Sequence, residues 1–313
     1  MAFSSNVQFP AAGAAPACVG VVGLGLIGGS FAKAYADAGI EVYGYDVDER
    51  TLAAAQAEGT VSAVLDEGTV GRCELVVVAL YPQDTIAWVQ RMAPHIAPGS
   101  FVIDCGGVKR SICPVCFSVA ERRGFTFIGG HPMAGTQYSG YRHARVDLFA
   151  GQPMVLVPPE VYDPAIVVRA EALLSPAGFG SYSVTTPARH DQLIAYTSQL
   201  AHIVSSAFIK SPTAQRHKGF SAGSYKDLTR VAEMNADMWT ELFMDNADNL
   251  SEELGCVIGE LERYRDALAR GDELELRTLI EEGSVAKLKA DGRYADAPQA
   301  ASPSIAVEDE VRA

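Results

Sequence analysis

The chain has 313 residues, of which 48% are hydrophobic and 20% are charged, and its formal net charge is −13. This length suits about two domains, and the apolar content is enough for a buried core, which excludes a disordered or fibrous chain. The acidic balance argues against a partner that requires a basic face, such as nucleic acid or an anionic membrane surface.

Both ends of the chain differ in composition from the middle. Residues 1–17 lack the basic and apolar regions of a secretory signal, and no apolar run reaches the roughly 18 residues that span a bilayer. Residues 293–313 are rich in alanine, proline and serine and then acidic. We therefore predict a disordered leader, a disordered tail and a cytoplasmic location.

The first half of the chain alternates short apolar runs with helical patterns. Valine- and isoleucine-rich runs separated by helices are typical of a parallel sheet that is covered on both faces. The predicted strands are residues 18–23, 41–46, 74–80, 101–105, 126–130, 153–158 and 182–186.

The second half is helical throughout, with segments at 187–210, 224–247, 248–270 and 272–290. Ser251 and Asp272 are each followed by acidic residues and are predicted helix starts, whereas Gly271 is a predicted helix end. The predicted organisation is an α/β domain over residues 18–186 and an all-helical domain over residues 187–292.

A G-x-G-x-x-G motif closes the first predicted strand and opens the first helix. Its first glycine permits a tight turn, its second lets the backbone approach a pyrophosphate, and its third allows close packing of helix on strand. This context predicts a Rossmann-type, doubly wound and mostly parallel sheet. The cofactor-binding residues predicted in the loop are Gly23, Gly25, Leu26, Ile27 and Gly28.

Asp46 ends the second predicted strand, 18 residues after Gly28, where a carboxylate can accept both ribose hydroxyls of a dinucleotide. A 2′-phosphate at this place would also meet Asp48 and Glu49, with Arg50 as the local cation. We therefore predict NAD rather than NADP. A glycine-rich turn without a ligand is the alternative.

His131 begins a polar, glycine-bearing segment directly after a predicted strand. Ligands bind at the carboxyl ends of the strands in an open parallel sheet, and a histidine there is suited to general base catalysis on a substrate hydroxyl. On local context alone, a loop histidine that bonds only to backbone is an equal alternative.

Four segments together resemble the prephenate/arogenate dehydrogenase family, whose members make tyrosine precursors. They are GLGLIGGS at 23–30, D-x-x-x-V-K at 104–109, HPMAGT at 131–136 and DLTR at 227–230. The resemblance covers about residues 18–290. It implies an NAD-dependent, homodimeric prephenate dehydrogenase that converts prephenate to 4-hydroxyphenylpyruvate by oxidative decarboxylation.

The same resemblance implies roles for single residues. His131 is the base that polarises the substrate 4-hydroxyl, Arg230 grips a substrate carboxylate, and His202 contacts the substrate side chain. Thr136 and Gln137 are expected to line the pocket. A salt bridge to the acid three residues earlier is the alternative for Arg230, and a core position is the alternative for His202.

Two positions depart from the family pattern. The family usually carries a serine where this chain has Gly107, so we expect either that water or another hydroxyl, such as that of Ser111, replaces it or that catalysis is weaker. Many relatives have glutamate where this chain has Gln137, and the change removes a partner for the ammonium of arogenate. Prephenate is therefore favoured, with arogenate, a related hydroxyacid or imine reductase activity, or a non-catalytic NAD-binding regulator as alternatives.

The remaining candidates carry less information. Cys113 and Cys116 form a C-x-x-C pair without a second pair to complete a zinc site, so we predict helix-lining thiols and no metal. Lys109 is expected near the cofactor or substrate, or paired with an acid, and Trp239 is expected in packing. The histidines predicted to be surface residues are His95, His143, His190 and His217.

Overall fold

The computed structural model describes residues 14–136 and 138–293, so the predicted leader up to residue 13 and the tail from residue 294 lie outside the described residues. The chain divides into two compact units, one ending at Glu253 and the other beginning at Leu254. Within the described residues, no helix is long and apolar enough to cross a membrane.

The first unit contains a sheet whose eight strands are β1 (Cys18–Val22), β2 (Glu41–Tyr45), β3 (Ala63–Val64), β4 (Leu75–Val78), β5 (Phe101–Asp104), β6 (Thr126–Pro132), β7 (Pro153–Val157) and β8 (Ser181–Val184). Their order is β3-β2-β1-β4-β5-β6-β7-β8. The first six in this order are parallel, whereas β7 is antiparallel to β6 and β8 is parallel to β7. The predicted fold class is confirmed. β3 was not predicted, because a strand of two residues is too short to show an alternating pattern of apolar side chains.

The helices are α1 (Leu26–Asp37), α2 (Glu49–Ala57), α3 (Pro82–Met92), α4 (Cys113–Arg123), α5 (Ala165–Leu174), α6 (Pro187–Ile194), α7 (Ala201–Ile209), α8 (Gly223–Thr229), α9 (Ala236–Met244), α10 (Ala247–Arg270) and α11 (Glu273–Ala290). A π-helical turn, Ala195–Leu200, joins α6 to α7. Asp272 caps α11 through its side chain, and Gly271, with a φ of 65°, ends α10, both as predicted. The predicted helix start at Ser251 is wrong, because α10 begins one turn earlier and continues through it.

Alternate side chains of the central strands face two separate hydrophobic clusters. Val19 and Val21 of β1 pack in one cluster with Phe31 of α1, whereas Val22 packs in the other with Trp88 of α3. This alternation is the consequence of a sheet that is covered on both faces. The helices thereby leave the carboxyl edge of the parallel strands as the place for polar residues.

A buried ion pair ties the described start of the chain to the sheet. Arg169 of α5 pairs with Glu74, which directly precedes β4, and both side chains are at least nine-tenths buried. The Arg169 guanidinium also donates to the Ala14 carbonyl at 2.6 Å, and the Ala17 N–H donates to Glu74 at 3.4 Å. Removing one partner of such a buried ion pair strongly destabilises the fold, because the other charge is left buried without a partner.

Candidate active site

The carboxyl ends of β1, β4, β5 and β6 lie along one edge of the sheet. The strand order changes direction between β1 and β4, and ligands bind outside such a switch point in open α/β sheets. The glycine loop follows β1, Asp104 ends β5, and His131 lies one residue before the end of β6. The topology therefore gathers residues that are more than a hundred positions apart in the chain.

The three motif glycines of the loop each meet a different steric demand. Gly23 has a φ of 79°, and a Cβ there would lie 2.5 Å from the Ala79 carbonyl oxygen. A Cβ at Gly28 would lie 1.8 Å from the Gly23 carbonyl oxygen. A Cβ at Gly25 would meet nothing within 4 Å, and Gly25 caps α1 without any side-chain hydrogen bond. The start of α1 thus has room and backbone donors for a pyrophosphate.

Asp46 is fixed beside this loop by two backbone donors. Its Oδ2 accepts the Leu24 N–H at 2.7 Å, and its Oδ1 accepts the Asp48 N–H at 2.9 Å. Each carboxylate oxygen retains a further acceptor site for a ribose hydroxyl. The Asp48 side chain caps α2, so a second negative charge lies next to Asp46 and opposes a 2′-phosphate. These residues fit NAD.

His131 is the end of a hydrogen-bonded chain of three side chains, which we call the Asp–His–His chain (Asp191, His190 and His131). Asp191 Oδ1 lies 2.7 Å from His190 Nδ1, and His190 Nε2 lies 2.9 Å from His131 Nδ1. Because an ionised carboxylate only accepts, His190 carries its proton on Nδ1 and accepts through Nε2. His131 therefore carries its proton on Nδ1, which leaves the Nε2 lone pair available.

The prediction that His190 is a surface residue is wrong. His190 is 2% exposed, and Asp191 beside it is fully buried. Local pattern did not show this, because Asp191 bonds to the loop after β5 and His190 bonds to His131, 82 and 59 positions away in the chain. A histidine followed directly by an acid at the start of a helix was the available signal.

Asp191 also holds the loop that follows β5. It accepts the backbone N–H groups of Lys109 at 2.7 Å and Arg110 at 2.9 Å, and its own carbonyl accepts Asn246 Nδ2 at 2.8 Å. The Lys109 ammonium forms a fully buried ion pair with Asp104. Of the two places predicted for Lys109, pairing with an acid is the one observed.

Burial keeps both histidines of the Asp–His–His chain neutral. Desolvation is the largest cause that lowers the pKa of His131 well below 6.5, and Coulombic interactions with His190 and Lys109 act in the same direction. Desolvation also lowers the pKa of His190, although Asp191 opposes the shift. At neutral pH, His131 is therefore an unprotonated acceptor at Nε2, as a general base must be.

A cavity of about 500 Å³ brings two of the predicted substrate residues together. It is lined by Gly135, Thr136, Tyr138, His143, Arg145 and Arg230. Within residues 14–136 and 138–293, no carboxylate forms an ion pair with Arg230, so the alternative salt bridge to Asp227 is not formed. His131 does not line this cavity, and Gln137 lies outside the described residues.

His202 is half-buried on α7 and is not a core histidine. Its Nδ1 donates to the Ser198 carbonyl at 2.8 Å, and its ring centroid lies 4.0 Å from that of Trp239. Desolvation lowers the pKa of His202, and the positive charge of Arg230 lowers it further. His202 therefore lies within electrostatic reach of Arg230 and offers Nε2 as an acceptor.

The position that departs from the family serine is open enough for a hydroxymethyl group. A Cβ at Gly107 would lie 3.3 Å from Leu242 Cδ2, a tight contact with a flexible side chain. Ser111 Oγ is buried and has no hydrogen-bond partner among the described residues, so it stays the predicted substitute. Cys113 and Cys116 are fully buried in the core, as predicted for helix-lining thiols.

Two family models match the chain. The nucleotide-binding domain of prephenate dehydrogenase matches residues 31–181, and the dimerization domain of prephenate dehydrogenase matches residues 186–282. The glycine loop lies just before the first matched range. The two ranges together cover most of the chain, and they confirm the family resemblance.

Individual relatives agree with these models. A probable prephenate dehydrogenase of Streptomyces niveus is 30% identical over 87% of this chain and 72% of its own length. The prephenate dehydrogenase of Bacillus subtilis is 28% identical over 80% of this chain and 70% of its own length. Among solved structures, Synechocystis arogenate dehydrogenase is 27% identical with a TM-score of 0.73, covering 87% of this chain and 99% of that one.

The loop geometry predicts opposite outcomes for two glycine-to-alanine changes. Gly25→Ala adds a methyl group in open space, so the melting temperature should stay within about 2 °C of wild type, whereas KM for NAD⁺ should rise at least about tenfold. Gly28→Ala forces a backbone overlap and should lower the melting temperature by several degrees. Thermal unfolding and initial rates measure both. A KM for NAD⁺ in Gly25→Ala equal to that of the wild type would contradict a pyrophosphate site at this loop.

Proposed function

The chain belongs to the prephenate dehydrogenase family, and from this membership we propose that prephenate is its substrate and His131 its catalytic base. The family places the chain among NAD-dependent oxidoreductases, and the glycine loop with Asp46 fits that cofactor. The observation that carries the proposal is the Asp–His–His chain, which leaves an unprotonated Nε2 on His131 at the carboxyl edge of the sheet.

The proposed reaction removes a hydride from the hydroxyl-bearing C4 of the ring, for which NAD⁺ would be the acceptor when bound; the C1 carboxylate leaves as CO₂ and the ring becomes aromatic. His131 Nε2 accepts a hydrogen bond from the 4-hydroxyl and takes up the hydroxyl proton as the C4–O bond gains double-bond character. The same nitrogen returns the proton to the oxygen when the phenol forms, so no net proton is released.

Asp191 and His190 position that base. The bond from His131 Nδ1 to His190 fixes the imidazole ring, and the buried Asp191 carboxylate stabilises positive charge that develops along the chain. Burial lowers the pKa of His190, so His190 stays neutral and can accept the hydrogen bond from His131 throughout the reaction. Both residues therefore act through His131 and are positioning residues.

Arg230 is proposed to bind a substrate carboxylate. Its guanidinium lines the cavity, and it is without a carboxylate partner in the part of the chain that the structure describes. A guanidinium makes a two-pronged bond to a carboxylate that lysine cannot reproduce. Thr136 lines the same cavity, and the predicted contact of Gln137 stays a prediction.

The charges around the cavity support prephenate over arogenate. Two arginines and a histidine line it, and no aspartate or glutamate is among its described lining residues. Prephenate carries a keto group where arogenate carries an ammonium, so arogenate would bring a cation into a cationic cavity. Arg145 is paired with Asp147, but Arg230 has no carboxylate partner among the described residues, so a substrate ammonium near it would meet an uncompensated like charge, which weakens binding.

One observation favours arogenate as a second candidate. His202 donates through Nδ1 to the Ser198 carbonyl, and its lowered pKa keeps Nε2 unprotonated at neutral pH. Such a nitrogen can accept a hydrogen bond from an ammonium, whereas a keto acid offers it no donor. Specificity therefore depends on whether the arginines or His202 dominate the contacts of the substrate side chain.

We also propose that the chain acts as a homodimer, since residues 186–282 match a dimerization domain. The division near residue 187 between a cofactor domain and a helical domain is retained as part of the proposal. The cytoplasmic location stays a prediction from the sequence.

The function is tested by following NADH formation from NAD⁺ with purified protein, with prephenate and arogenate offered separately. We expect turnover with prephenate and a kcat/KM at least about tenfold lower with arogenate, because one uncompensated charge costs on that order. Preference for arogenate would assign specificity to His202. Absence of turnover with both, while NAD⁺ still binds, would contradict the proposed activity and favour a non-catalytic protein.

The Asp–His–His chain makes a separate prediction. His190→Phe should lower kcat about tenfold to a hundredfold with little effect on KM for NAD⁺, because His131 loses the acceptor that orients it. His190→Gln, which restores an acceptor oxygen, should recover part of this loss. His95→Phe, at a partly exposed histidine that contacts Glu67, is the matched control and should be silent.

The pH profile of the wild-type enzyme gives a further readout of the same chain. Because the pKa of His131 is lowered, the basic form persists on acidification, and the acidic limb of kcat/KM should lie below pH 6.5. An acidic limb above pH 6.5, or an unchanged kcat in His190→Phe, would remove the Asp–His–His chain from the mechanism.

A further inference from the structure

The cavity that contains Arg230 has a second arginine that the family resemblance does not account for. Arg145 lines it together with Arg230 and His143, in a chain whose formal net charge is −13. A concentration of positive charge in one concave site of an acidic protein attracts anions to that place. The cavity thus has two guanidinium groups, which matches a substrate with two carboxylates.

The backbone of Arg145 is held rigidly against the cofactor domain. Its N–H donates to Ser30 Oγ at 3.0 Å, and Ser30 Oγ in turn donates to the Leu26 carbonyl at 2.7 Å in the first turn of α1. Leu148 and Phe149, which follow within four residues, are buried in the core. The side chain of Arg145 therefore extends into the cavity from a fixed base.

The guanidinium itself is available for exchange. It forms a two-pronged pair with Asp147, with Nε at 2.9 Å from Oδ1 and Nη2 at 2.8 Å from Oδ2, and the two side chains are 59% and 64% exposed. Exposed ion pairs contribute little to stability because water and salt screen them. A substrate carboxylate that enters the cavity can therefore replace Asp147 as the partner.

The chemistry of the substrate indicates which carboxylate this is. Both carboxylates of prephenate are attached through C1, at the end of the ring opposite the hydroxyl that His131 receives. The C1 carboxylate loses its charge when CO₂ departs. A protein cation that binds this carboxylate therefore stabilises the ground state alone. The side-chain carboxylate keeps its charge throughout the reaction, so a cation held on it stabilises the substrate and the transition state alike, and the Arg145 guanidinium, 59% exposed at the cavity, is a cation of this kind.

We propose that Arg145 is a second substrate-binding residue and that it takes the side-chain carboxylate of the substrate. The inference rests on the proposed function and deepens it, because it names a specificity-determining residue for the same site. It also gives this exposed arginine a role in binding: the substrate carboxylate replaces Asp147 as the partner of its guanidinium.

The experiment compares Arg145→Ala with Asp147→Asn, which breaks the same ion pair from its other end. Initial rates give kcat and KM for prephenate, and equilibrium titration in the presence of NAD⁺ gives Kd for 4-hydroxyphenylpropionate, which has a side-chain carboxylate but no ring carboxylate. For Arg145→Ala we expect both KM and Kd to rise at least about tenfold, with a kcat within about threefold of wild type and an unchanged KM for NAD⁺.

Asp147→Asn should leave both constants unchanged or lower them, because it frees the guanidinium without removing it. Equal increases of KM and Kd in the two variants would show that the ion pair is only structural and would overturn the proposal. An unchanged Kd for 4-hydroxyphenylpropionate in Arg145→Ala would overturn it as well. Failure of the proposed function is distinguishable, since the wild-type enzyme would then not oxidise prephenate at all.

Discussion

The candidate active site depends on one buried carboxylate, that of Asp191. It has no exposure to solvent and must therefore satisfy its charge with donors from the protein. It does so with the backbone N–H groups of Lys109 and Arg110 and with His190 Nδ1. These bonds fix α6 against the loop after β5 and set the tautomer of two histidines at the same time.

The consequence is an active site assembled from long-range contacts on a rigid sheet. The parallel strands bring the glycine loop and His131 to one edge, and α6 supplies the acid that orients the base. Lys109, which is buried against Asp104, keeps the loop after β5 in place. The cofactor side needs mainly backbone donors and space, whereas the base needs a fixed proton on one ring nitrogen.

Much of this was predictable from the sequence, because local signals carry it. Apolar runs and the glycine motif gave every strand except β3, and Gly25 and Gly28 have the steric surroundings that the motif predicts. His190 was placed wrongly because it contacts a strand residue that is distant in the chain, His131, and such a contact leaves no periodic pattern. Arg145 was not singled out because an arginine two residues before an aspartate is typical of a solvated surface.

We propose that specificity results from a balance of charges around the substrate cavity. On this proposal, Arg230 and Arg145 bind the two carboxylates, and the neutral Nε2 of His202 is the group that would accept a hydrogen bond from an ammonium. The difference between a keto acid and an amino acid therefore depends on a few side chains at the rim, while the Asp–His–His chain serves the chemistry common to both. The fold can consequently keep its reaction while its substrate preference changes.

The most direct test of this account is the tautomer of His131, measured by ¹⁵N NMR of histidine-labelled protein at neutral pH, with His131→Asn used for assignment. We expect a neutral ring with the proton on Nδ1 and an unprotonated Nε2, and a second neutral ring with the same tautomer for His190. A proton on Nε2 of His131, or a charged imidazolium at neutral pH, would contradict it, because the nitrogen that receives the substrate hydroxyl would no longer be a base.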